Sequence, residues 1–197
     1  MAFERVCVYA GSAPGAQPAY VRAASELAAA LVRRGSGVVY GGGSLGLMGA
    51  LADGMLAAGG EIIGVIPRFL DEREIGHSGL SELHVTENMH DRKMLMAELC
   101  DAFLVLPGGI GTLEEVVEML SWSQLGLHRK PIGLLDTDGF WAPLVDLLDH
   151  MTAEQFVGVD HRRLLISDPD PEVLLDAMHA WEAPAIGRQW LHRTEET

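Results

Sequence analysis

Short β-branched runs alternate with helix-length segments along this chain, and that alternation constrains its fold more than any single motif. RVCVYAGS (Arg5 to Ser12), GVVY, EIIGVI, SELHV, AFLVL (Ala102 to Leu106) and KPIGLLD read as strands, each a brief apolar run bounded by glycine, proline or polar residues. PAYVRAASELAAALVRRG carries apolar residues at Tyr20, Ala24, Leu27 and Leu31 and reads as an amphipathic helix, with Arg33 and Arg34 in its last turn and Gly35 placed to cap it. A small-residue helix follows GGGSLGLMG (Gly41 to Gly49) and ends near Gly59 and Gly60. Further helices are predicted from Asn88 to Cys100 behind an asparagine cap, over VVEMLSWSQL, over DGFWAPLVDLLDHM with Pro143 in its first turn, and from Pro171 to about Trp181. The segment Arg68 to Ser81 reads as an irregular surface loop, and after Glu154 the pattern weakens to the short piece RLLIS. Strand and helix in alternation require a three-layer α/β architecture, a doubly wound, mainly parallel sheet with helices on both faces. One domain is expected over residues 1–182, with 183–197 as a loosely held tail.

Ligands on such sheets bind beyond the carboxyl ends of the strands. Three glycine-rich loops, AGSAPG, GGGSLG and PGGIG, fall at strand ends and should converge there. A formal net charge of −14 repels nucleic acid and anionic membranes, so no contact with either is expected, and a small anionic ligand must find local positive charge. Cys7 and Cys100 lie inside apolar runs and suit reduced buried thiols; the N-terminus MAFERVCVY lacks the apolar core of a signal peptide. A cytoplasmic protein is expected. The histidines show neither HExxH nor close pairs, so no metal is expected, and no cofactor. The only lysines are Lys93 and Lys130, which leaves few choices for a Schiff base, and Lys130 should face solvent.

The stretch PGGIGTLEE places a glycine turn between a strand and a helix. Gly108, Gly109, Ile110, Gly111 and Thr112 would hold an anion on backbone N–H groups, assisted by the Gly41 to Ser44 turn, including Gly42 and Gly43, and by Ser12 of the first loop. A pure phosphate holder would avoid carboxylates, yet Leu113 is followed by Glu114 and Glu115 within one turn. Two readings of Glu115 stand: a reacting carboxylate, or the last member of a T-x-x-E capping box begun by Thr112. Glu118, one turn on, reads as solvated or supporting. Gly41-x-Gly43-x-x-Gly46 matches the dinucleotide fingerprint, but EIIGVI ends in Pro67 and Arg68 where a ribose-binding acid would stand, so an NADP-dependent oxidoreductase is only an alternative. Arg92 and Lys93 share a helix face with Met89 and Met96, which makes the pair a candidate anion or leaving-group contact.

Taken together, PGGIGTLEE, MHDRK, YGGGSLGLMG, the REI of Arg73 to Ile75, and SWSQLGLHRKPIGLL resemble the Lonely Guy (LOG) family of cytokinin riboside 5′-monophosphate phosphoribohydrolases, over roughly residues 5 to 180. The resemblance implies a Rossmann-like homodimer that cleaves the N-glycosidic bond of an adenosine 5′-monophosphate, giving free base and ribose 5-phosphate. It places the catalytic arginine and glutamate at Arg92 and Glu115. Substrate contacts fall at Glu74, Lys93, the Gly109 to Thr112 loop and Ser121, where several relatives have threonine. Relatives often carry a lysine decarboxylase label, for which this sequence supplies no machinery. Molybdenum-cofactor carriers are similar in fold, so a non-catalytic carrier is the other alternative.

Overall fold

The computed structural model describes residues 3–71 and 76–184. Strand β1 (Arg5–Tyr9) is apolar on both sides, with Val6 and Val8 entering one core and Cys7 and Tyr9 the other, and this places it in the middle of the sheet. On one side of it lie β2 (Gly37–Tyr40), β3 (Ile62–Pro67) and the edge strand β4 (Glu82–Thr86); on the other lie β5 (Ala102–Val105), β6 (Ile132–Leu135) and β7 (Leu165–Asp168). All pairings are parallel, in the order β4-β3-β2-β1-β5-β6-β7. The chain first winds outward from β1 to β4, then returns to β5 on β1's other side. The carboxyl ends of β1 and β5 therefore flank the switch point where such sheets open a crevice.

Helices α1 (Pro18–Arg33), α2 (Gly46–Ala57) and α8 (Pro171–Ala180) cover one face, contributing Leu27, Leu31, Leu51, Met55, Leu174 and Met178 to its core. Helices α4 (Met89–Glu98), α5 (Ile110–Gln124) and α6 (Ala142–Ala153) cover the other through Met96, Val116, Met119, Leu144 and Leu148, with Trp141 at the head of α6. Gly35 ends α1 as its position predicts, at φ 74°, while Gly35 N–H donates to Val32 and Ser36 N–H to Leu31. Arg33 and Arg34 reach α8, pairing with Glu172 at 2.6 and 2.5 Å, and Arg34 also pairs with Asp176 at 2.7 Å.

Three expectations need correction. The segment after Pro67 is not irregular throughout. It opens with a one-turn helix, α3 (Arg68–Asp71), and Gly76 bridges to Gly43. The weak piece after Glu154 contains a short helix, α7 (Val159–Arg162), and RLLIS supplies β7, which pairs with β6 from Ile132 opposite Leu165. Lys130 does not face solvent. Its Nζ donates to the carbonyls of Ala97 at 2.5 Å and Cys100 at 2.6 Å, satisfying acceptors freed at the end of α4. Among the described residues no helix is long and apolar enough to cross a membrane. The tail beyond residue 184 lies outside the described residues.

Candidate active site

A cavity of about 340 Å³ opens at the switch point, walled by the chain leaving β1, β2, β3 and β5. Helix α5 supplies its floor. Gly109 is the N-cap and Leu113 N–H, bonded to Gly109 O at 3.0 Å, is the first donor inside the helix, so the N–H groups of the preceding turn face the cavity mouth. An added Cβ at Gly109 or Gly111 would meet nothing within 4 Å, whereas at Gly108 it would collide with the Thr112 side chain. Gly108 is thus demanded by the chain's own packing; Gly109 and Gly111 leave free space at a helix N-terminus.

This geometry removes the capping-box reading. Thr112 is the third residue of the helix rather than its cap, and its side chain is buried against Gly108. Glu115 lies in the second turn, beyond reach of the cap N–H. Its carboxylate faces Arg92 instead, with Glu115 Oε1 at 3.5 Å from Arg92 Nη1 and each side chain only 10% exposed. Burial is the largest influence on Glu115 and pushes its pKa up to about 7; Arg92 and Lys93 oppose the rise, while Glu114 and Glu118 add to it.

Arg92 is held by what surrounds it. Asn88 caps α4 by accepting from His90 N–H at 2.9 Å and Asp91 N–H at 3.0 Å, which fixes the first turn on which Arg92 is carried. Arg92 Nε donates to the Val65 carbonyl at 3.0 Å. Gly41 lies flat against the guanidinium: a Cβ there would stand 2.1 Å from Nη2. Lys93, one residue on, takes a different course. Its Nζ sits 2.5 Å from Glu114 Oε1 and 2.8 Å from Glu118 Oε2, with the side chain 6% exposed, and it does not line the cavity.

The second glycine loop differs from a dinucleotide turn. The Gly11 carbonyl accepts from Leu47 N–H at 2.9 Å and Met48 N–H at 3.4 Å, so the first turn of α2 is closed by the protein itself. Gly46, at φ 60°, packs on the Ser12–Ala13 backbone, where a Cβ would clash at 2.4 Å. The N–H groups that would receive a pyrophosphate are taken by the Gly11 carbonyl, which with the absent acid at the end of β3 leaves the oxidoreductase alternative less supported.

The cavity therefore gathers Ser12, Gly43, Arg92, Gly109, Ile110, Gly111, Thr112, Glu114 and Glu115 from the predicted set. It does not gather Gly42, turned toward Ile66, nor Gly108, Lys93 or Leu113, and Ser121 is exposed on α5 away from it. Glu74 lies outside the described residues. Sequence reasoning missed the apolar wall of Met48, Ile66 and Leu70, which joins Met89. Ile66 could have been found as a strand-end residue; nothing in the sequence marked Met48 or Leu70. Among the described residues no group of three or more metal-ligating side chains occurs.

Comparison with known proteins bears on the family and the fold. A family model described as possible lysine decarboxylase matches residues 48–178. The chain is 47% identical over 173 residues to the cytokinin riboside 5′-monophosphate phosphoribohydrolase LOG of Oryza sativa subsp. japonica, covering 88% of this chain and 72% of the relative. It is 43% identical over 180 residues to a cytokinin riboside 5′-monophosphate phosphoribohydrolase of Arabidopsis thaliana, covering 91% and 83%. In fold it is similar to the molybdenum cofactor binding protein of Rippkaea orientalis, with a TM-score of 0.67 over 89% of this chain and 95% of that one, at 20% identity.

Proposed function

This chain belongs to the Lonely Guy family of cytokinin riboside 5′-monophosphate phosphoribohydrolases, and we propose that it hydrolyses the N-glycosidic bond of adenosine 5′-monophosphates, N6-modified ones included. The products are the free adenine-type base and ribose 5-phosphate. The observation that carries this reading is a buried carboxylate facing a buried guanidinium, in one cavity with an open helix N-terminus.

Each part has a chemical task. The 5′-phosphate rests on the N–H groups from Gly109 to Thr112, where the helix dipole favours an anion, and because it does not react, its binding serves orientation. Scission of the bond between C1′ and the purine nitrogen develops positive charge on the sugar, which Glu115 stabilises. Water then forms the new C1′–O bond and gives one proton to Glu115, which returns it through solvent to the departing base nitrogen, so that one water supplies the hydroxyl of ribose 5-phosphate and the proton of the free base and Glu115 is restored. A carboxylate whose pKa is about 7 is suited to that exchange at neutral pH. Arg92 positions the substrate and assists departure of the base. Met48, Ile66, Leu70 and Met89 offer an apolar surface suited to a purine or its N6 substituent. Glu74 keeps its role as a ribose contact by resemblance alone.

The decarboxylase description does not fit the residues. A Schiff base needs an available lysine in the site; Lys93 is bound by carboxylates, Lys130 by carbonyls, and neither lines the cavity. A homodimer is supported by the exposed apolar residues Ile110 and Val117 on α5 and Leu125 and Leu127 just after it, a stripe that also bears Ser121 and that a second copy could cover. Two free, buried thiols suit a cytoplasmic setting. Incubation with AMP and with N6-isopentenyl AMP tests the activity. Release of ribose 5-phosphate is expected, with the ratio of rates reporting the preferred base. Tight binding without release would favour a carrier.

A further inference from the structure

Lys93 and Glu118 stand outside the cavity, yet they are wired to its reacting carboxylate. Helices α4 and α5 present their charges in step: Arg92 opposes Glu115, and the next residue, Lys93, is clamped by Glu114 and Glu118 on either side of Glu115's turn. Glu118 Oε2 makes no aligned hydrogen bond, so its contact with the ammonium is an ion pair. The Arg92–Glu115 contact is the looser one, at 3.5 Å against 2.5 and 2.8 Å for the clamp. An ammonium that is 6% exposed and holds two carboxylates has little left to offer a phosphate or a ribose.

We propose that Lys93 is a positioning residue, clamped between Glu114 and Glu118, that fixes the spacing of α4 and α5 and the charge around Glu115, with Glu118 completing the clamp, rather than a cation that touches substrate. The inference rests on the hydrolase reading and gives this chain's own carboxylates the place the resemblance gives to substrate. The groups facing Glu115 are Arg92 and Lys93 of α4, Glu114 and Glu118 of α5, and the buried Tyr9 and Cys7 of β1. Burial alone would pull the Lys93 ammonium down, but Glu114 and Glu118 outweigh it and hold it charged. Lys93 thereby favours the ionised form of Glu115 and Glu118 disfavours it. Removing each should move Glu115 in opposite directions, which a purely structural salt bridge would not do.

The test uses Lys93→Gln and Glu118→Gln in the full chain, with kcat and KM for AMP measured across neutral pH and the Glu115 carboxyl titrated by NMR without ligand. For Lys93→Gln the expected result is a kcat at pH 7 lower by about fivefold, because a one-unit rise from about 7 takes the ionised fraction from about one half to about one eleventh, with KM within about twofold and the acid limb moved upward. Glu118→Gln should move the limb and the NMR titration downward. A Lys93→Gln variant whose KM rises about tenfold with an unmoved limb makes Lys93 a substrate contact and overturns the proposal. So do unmoved titrations in both variants. If Lys93→Gln does not fold, the downward shift in Glu118→Gln decides alone. Because the NMR titration needs no turnover, a wild type that releases no ribose 5-phosphate defeats the hydrolase reading separately.

Discussion

Replacing Gly41 by alanine should disable the site while leaving the fold in place. The new Cβ would stand 2.1 Å from Arg92 Nη2, where ordinary contact begins at 3.4 Å, so the guanidinium must retreat by roughly 1.3 Å. What gives way is the far end of a long side chain, not backbone; Gly41 itself is absent from the glycines with positive φ, so alanine adds no backbone strain. The retreat breaks the 3.0 Å bond from Nε to the Val65 carbonyl and alters the 3.5 Å approach to Glu115. A hydrogen bond to a charged group is worth about 1.5–3 kcal/mol, which bounds the stability loss, and a misplacement of about 1 Å can cost about 10²-fold in rate. Steady-state hydrolysis of AMP and thermal unfolding together check this: kcat should fall about 10²-fold while the protein stays folded at assay temperature. A kcat within about twofold of wild type would show that the position of Arg92 does not matter to the reaction and would refute the reasoning.

Other consequences are open to measurement. Because the folded protein holds Glu115 protonated up to about 7 while the unfolded chain releases that proton near about 4.3, the native state binds the extra proton between those values. Stability from this group must then fall as pH rises through that window, by roughly 3–4 kcal/mol, and level off above it; denaturant unfolding at acid and alkaline pH should show the slope in wild type and lose it in Glu115→Gln. Lys130→Met strips two carbonyls of their donor at the end of α4 and should cost about 1–3 kcal/mol in urea unfolding. Asn88→Ala removes the cap at the other end of α4, with an expected loss of about 1 kcal/mol, and lowers kcat through the turn that carries Arg92.

The alternation of strand and helix was readable because it depends on local periodicity and on glycine stops such as Gly35, whose φ only glycine adopts cheaply. RLLIS was harder. Five residues give little periodicity, and β7 exists through its pairing with β6 and not through its own pattern. At the site, the anion loop was legible because backbone N–H groups at a helix start follow from chain direction alone. Lys93 was legible only in part: spacing puts it beside Arg92 on the inner face of α4, but its carboxylate partners Glu114 and Glu118 come from another helix and cannot be read from α4. Lys130 was illegible in the same way, since its acceptor at Ala97 lies 33 residues away, whereas the Thr112 box turned on where α5 starts, with Gly109 and not Thr112 at its cap. Gly41-x-Gly43-x-x-Gly46 shows that a motif can be matched for other ends, making room for Arg92 and for the Ser12–Ala13 backbone instead of a dinucleotide.

In the proposed reaction Glu115, facing Arg92, carries out the scission while the start of α5 merely holds the phosphate. Its most direct test compares wild type with Glu115→Gln, measuring ribose 5-phosphate released from AMP and, by calorimetry, AMP binding. Wild type should release ribose 5-phosphate, and the variant should bind AMP about as well but turn over about 10²- to 10⁴-fold more slowly. Unchanged turnover in Glu115→Gln would contradict it.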